Sequence, residues 1–329
     1  MDVEAVSSDK LVAEAFSSRR RSNSVSDDYS TQRTNDDATQ CKYFAVQKGY
    51  WKDEFIGRFV SGANEETSRF PEISLGYWCR TKIVEQHVKQ FINKFSGKVQ
   101  IISLGSGFDT LFWRLSAENL KFLKFVEVDF ASVTSRKIRN IMKPGTPEMT
   151  SFFSEKPSII HHTDLHSGNY HLIGADLRQL GELNTKLDAA DLDNSIPTIC
   201  IAECVLVYMS GSHSSALLEA LCSRFKKLSF LNYEQFRSSD EFTKVMEANL
   251  GNRGIQLHGL SMCESADKQK ERFNMAGFSS VEVHDMNEVF NRILDPADAT
   301  RVKKIEMLDE LELLWQLLAH YCVVYAENH

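Results

Sequence analysis

The chain has 329 residues, 42% of them apolar and 25% charged, which is enough to bury a large core without disulfide or metal staples. A net charge of −7 excludes a surface built for polyanions or anionic membranes. No apolar run approaches the roughly 18–20 residues of a membrane span, the acidic N-terminus lacks a secretory apolar core, and seven scattered cysteines without a CxxC pair argue against a zinc ribbon or disulfide frame, so the chain reads as soluble and cytoplasmic or nuclear; a monomer is expected.

Residues 1–40 are rich in Ser, Asp, Thr, Arg and Gln, and between Phe16 and Tyr43 the only large apolar residues are Val25 and Tyr29. Such a segment buries too little surface to offset its ordering entropy and reads as a disordered polar tail. Within it, RRRSNS sets an arginine three positions before Ser22 and before Ser24, a spacing that suits a basophilic kinase, though a plain solvated tail accounts for it as well. Residues 41–95 follow as an aromatic-rich preamble with two GYW patches, then TKIVEQHVKQFINKF, whose Val84, Val88, Phe91 and Phe95 share one helical face.

From residue 96 to 329 strands and helices alternate. The strands expected are Val99–Leu104, Phe122–Val128, Tyr170–Gly174, Thr198–Ala202, Leu228–Asn232, Ser280–Val283 and His320–Ala326. The helices expected between them are Thr110–Glu118, Val133–Met142, Arg178–Ala190, Ser214–Phe225, Ser239–Asn249, Lys268–Ala276 and Asp298–Leu318. Crossovers of this length mean βαβ units and a mainly parallel sheet, hence a doubly wound, Rossmann-like α/β domain with an N-terminal helical cap. HHTDLH (161–166) resembles a metal site on paper but lacks completing ligands and reads as a solvated loop, so no metal is expected. Cys204 has no histidine nearby in sequence and reads as core.

The chemistry begins at SLGSGFDTLFWRL (103–115), where an apolar strand runs into Gly105 and Gly107 and then into a helix. Bare glycine there lets a ligand approach the backbone. Asp129, at the tip of the next strand, offers two carboxylate oxygens to a ribose, its rival role being a helix cap. A dinucleotide fingerprint wants a third glycine where this chain has Thr110, which favours a cofactor without pyrophosphate. S-adenosylmethionine fits, with Asp176 and Leu177 of GADL as acceptor and wall for adenine. Glu203, ending a buried strand, needs a cation, either the cofactor's ammonium or an internal Lys or Arg.

Together CKYFAVQKGYW, GYWCR, SLGSGFDTLFWRL, VEVDF, IGADLR, IAECVLVYM, NYEQ and LDELELL…HYC resemble the leucine carboxyl methyltransferase family from about Cys41 to Ala326. The resemblance implies a class I S-adenosylmethionine-dependent methyltransferase with a seven-stranded sheet, last strand antiparallel, and residues 41–95 as a helical lid and substrate-pocket segment. It implies Lys42 and Arg80 as cations for the cofactor's carboxylate, Gly105 in the glycine loop, Asp129 at ribose, Asp176 and Leu177 at adenine and Glu203 at the methionine end. The implied substrate is the C-terminal leucine carboxylate of the type 2A protein phosphatase catalytic subunit, esterified to regulate holoenzyme assembly. That carboxylate is already the nucleophile at neutral pH, so no general base is expected; Arg80, Tyr208 and Tyr50 are candidates for orienting it. Ser103 stands where many methyltransferases carry an acid. Alternatives are a small-molecule or tRNA-base methyltransferase of the same family, or a non-catalytic phosphatase-binding module.

Overall fold

The computed structural model describes residues 8–60, 70–237, 240–309 and 311–329, with side chains described from residue 28 onward. The described residues form one nine-stranded sheet: β1 (Gln100–Leu104), β2 (Lys124–Asp129), β3 (Ser158–Ile160), β4 (Asp164–Ser167), β5 (Tyr170–Gly174), β6 (Thr198–Glu203), β7 (Leu228–Gln235), β8 (Ser280–Asp285) and β9 (Tyr321–Glu327), in the order β3-β4-β5-β2-β1-β6-β7-β9-β8. β5, β2, β1, β6 and β7 pair in parallel, and β9 runs antiparallel between β7 and β8. All seven expected strands are present, and the last is antiparallel as expected.

Two further strands make the sheet nine. HHTDLH is not a loop: His161 and His162 turn through positive φ (49° and 59°), and Asp164–Ser167 then pairs antiparallel with β5. The strand signal was weak because all three residues of β3 are exposed and β4 is polar at both ends. What anchors β4 is Asp164, which accepts the Gly174 N–H at 2.7 Å and pairs with Lys186 at 3.2 Å.

Among the helices, α1 (Ser8–Lys48) and α2 (Pro71–Lys94) precede the sheet. α2 starts ten residues before the expected helix, with Pro71 at its first turn, where the missing N–H is harmless. It thereby takes the second GYW patch into a helix, and Leu75, Trp78, Val84, Val88 and Phe91 enter the core. α3 (Leu111–Ala117), α4 (Ala131–Met142), α5 (Leu180–Ala189), α6 (Gly211–Arg224), α7 (Glu241–Gly251) and α8 (Ala266–Met275) lie close to their expected positions. After α9 (Met286–Glu288) and a π turn, the expected long helix Asp298–Leu318 divides into α10 (Pro296–Val302) and α11 (Leu311–Ala319). The ladder tightens to i→i−3 bonds at Lys304 and Ile305, and the turn tucks Ile305 and Leu308 against the core.

Helices cover both faces of the sheet. One core joins α2, α3, α4 and α11; the other joins α5, α6 and α8. β6 and β7 are buried along almost their whole length, which is why TICIA is apolar on both faces. Beneath the carboxyl ends of β1 and β2, the α4 residue Lys137 is buried against Glu127 of β2 at 2.5 Å and donates to the Asp109 carbonyl at 2.8 Å. Tyr170 donates to the same carboxylate at 2.8 Å. Burial pushes the Glu127 carboxyl up to about 7, against the pull of Lys137 and Tyr170. Lys137→Met leaves Glu127 buried without its cation and is expected to destabilise the fold by about 3–5 kcal/mol in urea unfolding; an unshifted midpoint would mean the pair is solvated.

Candidate functional site

β1 pairs with β2 on one side and β6 on the other, so chain order reverses there, and a crevice opens beyond the strand tips. The crevice is a cavity of about 350 Å³, within the roughly 300–1,000 Å³ of small-molecule sites. Lys42, Arg80, Gly105, Asp129, Asp176, Leu177 and Glu203 all line it, as does Tyr208. Residues up to 166 apart in sequence thus meet because each ends a strand or faces one from a covering helix.

The glycine loop is its floor. Gly105 and Gly107 have φ of 58° and 50°, a left-handed conformation that side-chain-bearing residues avoid. A Cβ on Gly105 would lie 2.6 Å from Val205, and one on Gly107 2.4 Å from Asn35 Oδ1. The Gly107 N–H donates to Asp129 Oδ2 and the Phe130 N–H to Asp129 Oδ1, both at 2.7 Å. Asp129 therefore braces the loop and does not cap α4, whose preceding residue is Phe130. Burial raises the Asp129 pKa, opposed by those two backbone donors.

At the other end an ionic cluster forms. Arg80 Nε donates to Glu203 Oε2 at 2.5 Å, and its second arm reaches the Glu203 carbonyl at 3.3 Å. Lys42 Nζ lies 2.6 Å from Asp109 and 3.8 Å from Glu203. The guanidinium also stands 5.0 Å from the Tyr233 ring centroid and 5.7 Å from that of Tyr77. Of the two partners expected for Glu203, the structure shows the internal cations. Burial works against the Asp109 charge, but Lys42 and Arg114 outweigh it and hold the carboxyl well below the usual range.

Asp176 is gripped by Arg178, whose Nε and Nη2 donate at 2.8–3.1 Å, and Arg178 also pairs with Asp28 at 2.7 Å. Tyr50 is not in the cavity: it is buried in the core beside α2, and its hydroxyl donates to Glu306 at 3.2 Å, so it does not join Arg80 and Tyr208. Of the two GYW patches only Tyr77 contributes to the lining; Trp51 and Trp78 are core residues. Cys204, read as core, borders the cavity at φ 54°. Burial pushes its thiol up to about 12, so it stays protonated and is not a nucleophile.

The larger correction concerns residues 28–40. They do not belong to a disordered tail: they are helical, and Asp28, Thr31, Asn35, Ala38, Thr39 and Lys42 of α1 line the cavity. Asn35 Oδ1 accepts the Phe108 N–H at 2.8 Å, and Asp36 pairs with Arg136 at 2.7 Å. The side chains of Ser22 and Ser24 lie outside the described residues. Also unforeseen are Asp109 and Gln235, and the α7 residues Met246 and Leu250, which form an apolar stretch of the wall. No histidine lines the cavity among the described residues, and none of their His, Cys, Asp and Glu side chains group to hold a metal.

The leucine carboxyl methyltransferase family model matches residues 30–222, starting within the segment just described. Leucine carboxyl methyltransferase 1 of Caenorhabditis elegans is 63% identical over 331 aligned residues, covering 99% of each chain. The human tRNA wybutosine-synthesizing protein 4 is 34% identical across 90% of this chain, which spans 44% of that longer protein. In fold, a solved methyltransferase-type structure from Thermobifida fusca superposes with a TM-score of 0.52 at 12% identity, covering 78% of this chain and 83% of its own. With a strand-tip cavity of this composition and near full-length identity to such relatives, the chain belongs to the leucine carboxyl methyltransferase family.

Proposed function

We propose that this chain transfers the methyl group of S-adenosylmethionine to the α-carboxylate of the C-terminal leucine of the type 2A protein phosphatase catalytic subunit. The observation that carries the reading is the line of charges across the strand tips, with carboxylates at Asp129 and Asp176 on one side and the Lys42–Arg80–Glu203 cluster on the other. The residues suit that cofactor. The positive-φ glycines leave a cradle a Cβ would fill, Asp129 and Asp176 present acceptors for ribose and adenine, and Leu177 supplies a wall. Lys42 and Arg80 would hold the cofactor's carboxylate, and Glu203 its ammonium.

When bound, the cofactor supplies an electrophilic methyl on a sulfonium. The chain's own task is placement. A peptide α-carboxyl has a pKa of roughly 3.3–3.7 and is ionised at neutral pH, so proton removal is unnecessary. Arg80 and Tyr208 line the cavity and are our candidates for orienting the carboxylate, and burial keeps the Tyr208 hydroxyl protonated as a donor. Tyr77, Met246 and Leu250 offer an apolar wall for a leucyl side chain. Fixing the reactants while excluding water can supply roughly 7–11 kcal/mol of the barrier. The net charge of −7 favours a protein tail over a tRNA substrate.

The test is transfer of radiolabelled methyl to purified phosphatase catalytic subunit, intact or lacking its last leucine. Label on the intact subunit alone is expected. Equal label on both would refute the carboxylate target, and no label despite cofactor binding would favour a phosphatase-binding module.

A further inference from the structure

Behind the cavity, on the face of β7 away from it, lies a buried charge the reaction does not use directly. Glu234 is fully buried, flanked by the α8 residue Arg272, which is 2% exposed. The Arg272 guanidinium nitrogens have no hydrogen-bond partner among the described residues, and Glu234 acts on that cation through its charge without a direct contact. Charges buried in such a place are costly and are seldom the cheapest way to fill a core.

Its contacts show what it holds. Parallel pairing of β6 with β7 ends at Glu203 opposite Tyr233, and one further backbone bond, Cys204 N–H to the Tyr233 carbonyl at 2.7 Å, closes the ladder. Beyond that point the chain leaves β6 as a short 3-10 turn, Leu206–Tyr208, which carries Tyr208 to the cavity. The Glu234 carboxylate spans the gap: Oε2 accepts the Val207 N–H at 2.9 Å, and Oε1 accepts the Gln235 N–H at 3.1 Å. Tyr208 follows the first of these residues, and the second itself lines the cavity. From outside, the Gly259 N–H donates to the Val207 carbonyl at 2.7 Å, and a Cβ on Gly259 would lie 2.7 Å from the Leu206 carbonyl oxygen. The turn is thus clamped on both sides, by a carboxylate from the sheet and by a close-packed backbone from the loop.

We propose that Glu234 is a positioning residue for methyl transfer, fixing through the Val207 backbone where Tyr208 stands in the cavity. The proposal rests on the reading of Tyr208 as an orienting group for the substrate carboxylate. Neither a serine nor an amide would serve, since two N–H donors must be met at once by acceptors only.

Glu234→Gln keeps the shape but turns an NH₂ toward one of those donors. It is expected to lower kcat on the phosphatase by about 10- to 100-fold, the scale of a small misplacement of a reacting group, with the cofactor Kd changed less than about threefold. The double variant with Tyr208→Phe should be no slower than the slower single variant, because both act through one hydroxyl. In 3-fluorotyrosine-labelled protein the Tyr208 resonance should shift or broaden in E234Q, a readout that needs no turnover and stands even if the phosphatase is not the substrate. Wild-type kcat per folded molecule in E234Q, an unmoved Tyr208 resonance, or losses that multiply in the double variant would each overturn the proposal. If E234Q does not fold, Glu234→Asp keeps the charge but falls short of Val207 and is expected to show the same kcat loss and resonance shift.

Discussion

Arg80→Ala should weaken S-adenosylmethionine binding by at least about 100-fold, or roughly 2.7 kcal/mol, measured by calorimetry. The size follows from what the guanidinium does. It bonds the Glu203 side chain with one arm and the Glu203 carbonyl with another, and it stands over the faces of Tyr77 and Tyr233. After its removal Glu203 retains, among the described residues, the ion pair with Lys42 at 3.8 Å, and that ammonium is already engaged with Asp109 at 2.6 Å. The cavity would hold an undercompensated carboxylate at the end assigned to the cofactor's own carboxylate, so repulsion replaces attraction in a site of low dielectric. Arg80→Lys restores the charge but not the fork, and should recover only part of the affinity. Unchanged binding in the alanine variant would remove Arg80 from the cofactor's neighbours.

The sheet and the strand-tip residues were legible because their signals are local. An apolar run that ends in glycine or an acid marks a strand tip, and the parallel architecture then brings those tips to one crevice whatever their separation in sequence. Gly105, Asp129, Asp176 and Glu203 were found in that way, and each lines the cavity. What sequence could not show was how these charges are matched. Arg178 holds Asp176 and Arg80 holds Glu203, and nothing in residue spacing distinguishes such pairing from a ligand's. Tyr50 went astray for a related reason: its hydroxyl could serve as a donor that orients a carboxylate, but Glu306 in the turn after α10 offered that hydroxyl a partner in the core.

The hairpin β3–β4 and the helical stretch at residues 28–40 were missed because periodicity was sought in apolar residues alone. Asp28, Thr31, Gln32, Asn35, Ala38, Thr39 and Lys42 recur at three- and four-residue steps, the spacing of one helical face. That face is polar because the surface it covers is a polar cavity. A stripe of Asp, Thr and Asn is therefore the signature here of a helix over a ligand site, where a stripe of Leu and Val would signify a helix over a core.

Deletion of residues 1–40 puts the two readings in direct opposition. For a disordered tail, the shortened chain would bind cofactor as the full chain does. In the structure the deletion strips Asn35 from the Phe108 N–H and Asp28, Asp36 and Asp37 from Arg178, Arg136 and Arg253. It also opens the wall that α1 makes beside the glycine loop, where Asn35 lies against Gly107. One buried donor left unpaired costs about 1–3 kcal/mol by itself, so an affinity loss of at least about fivefold is expected. The exposed ion pairs add little singly, but water entering along the vacated face raises the dielectric around Lys42, Arg80 and Glu203. The fold should survive, because the sheet and both helical layers from α2 onward lie outside the deletion. Asn35→Ala in the full chain separates the causes: a partial loss there with a full loss on deletion assigns the remainder to the missing wall. Equal cofactor affinity in the deleted and full chains would return residues 28–40 to the role of a tail.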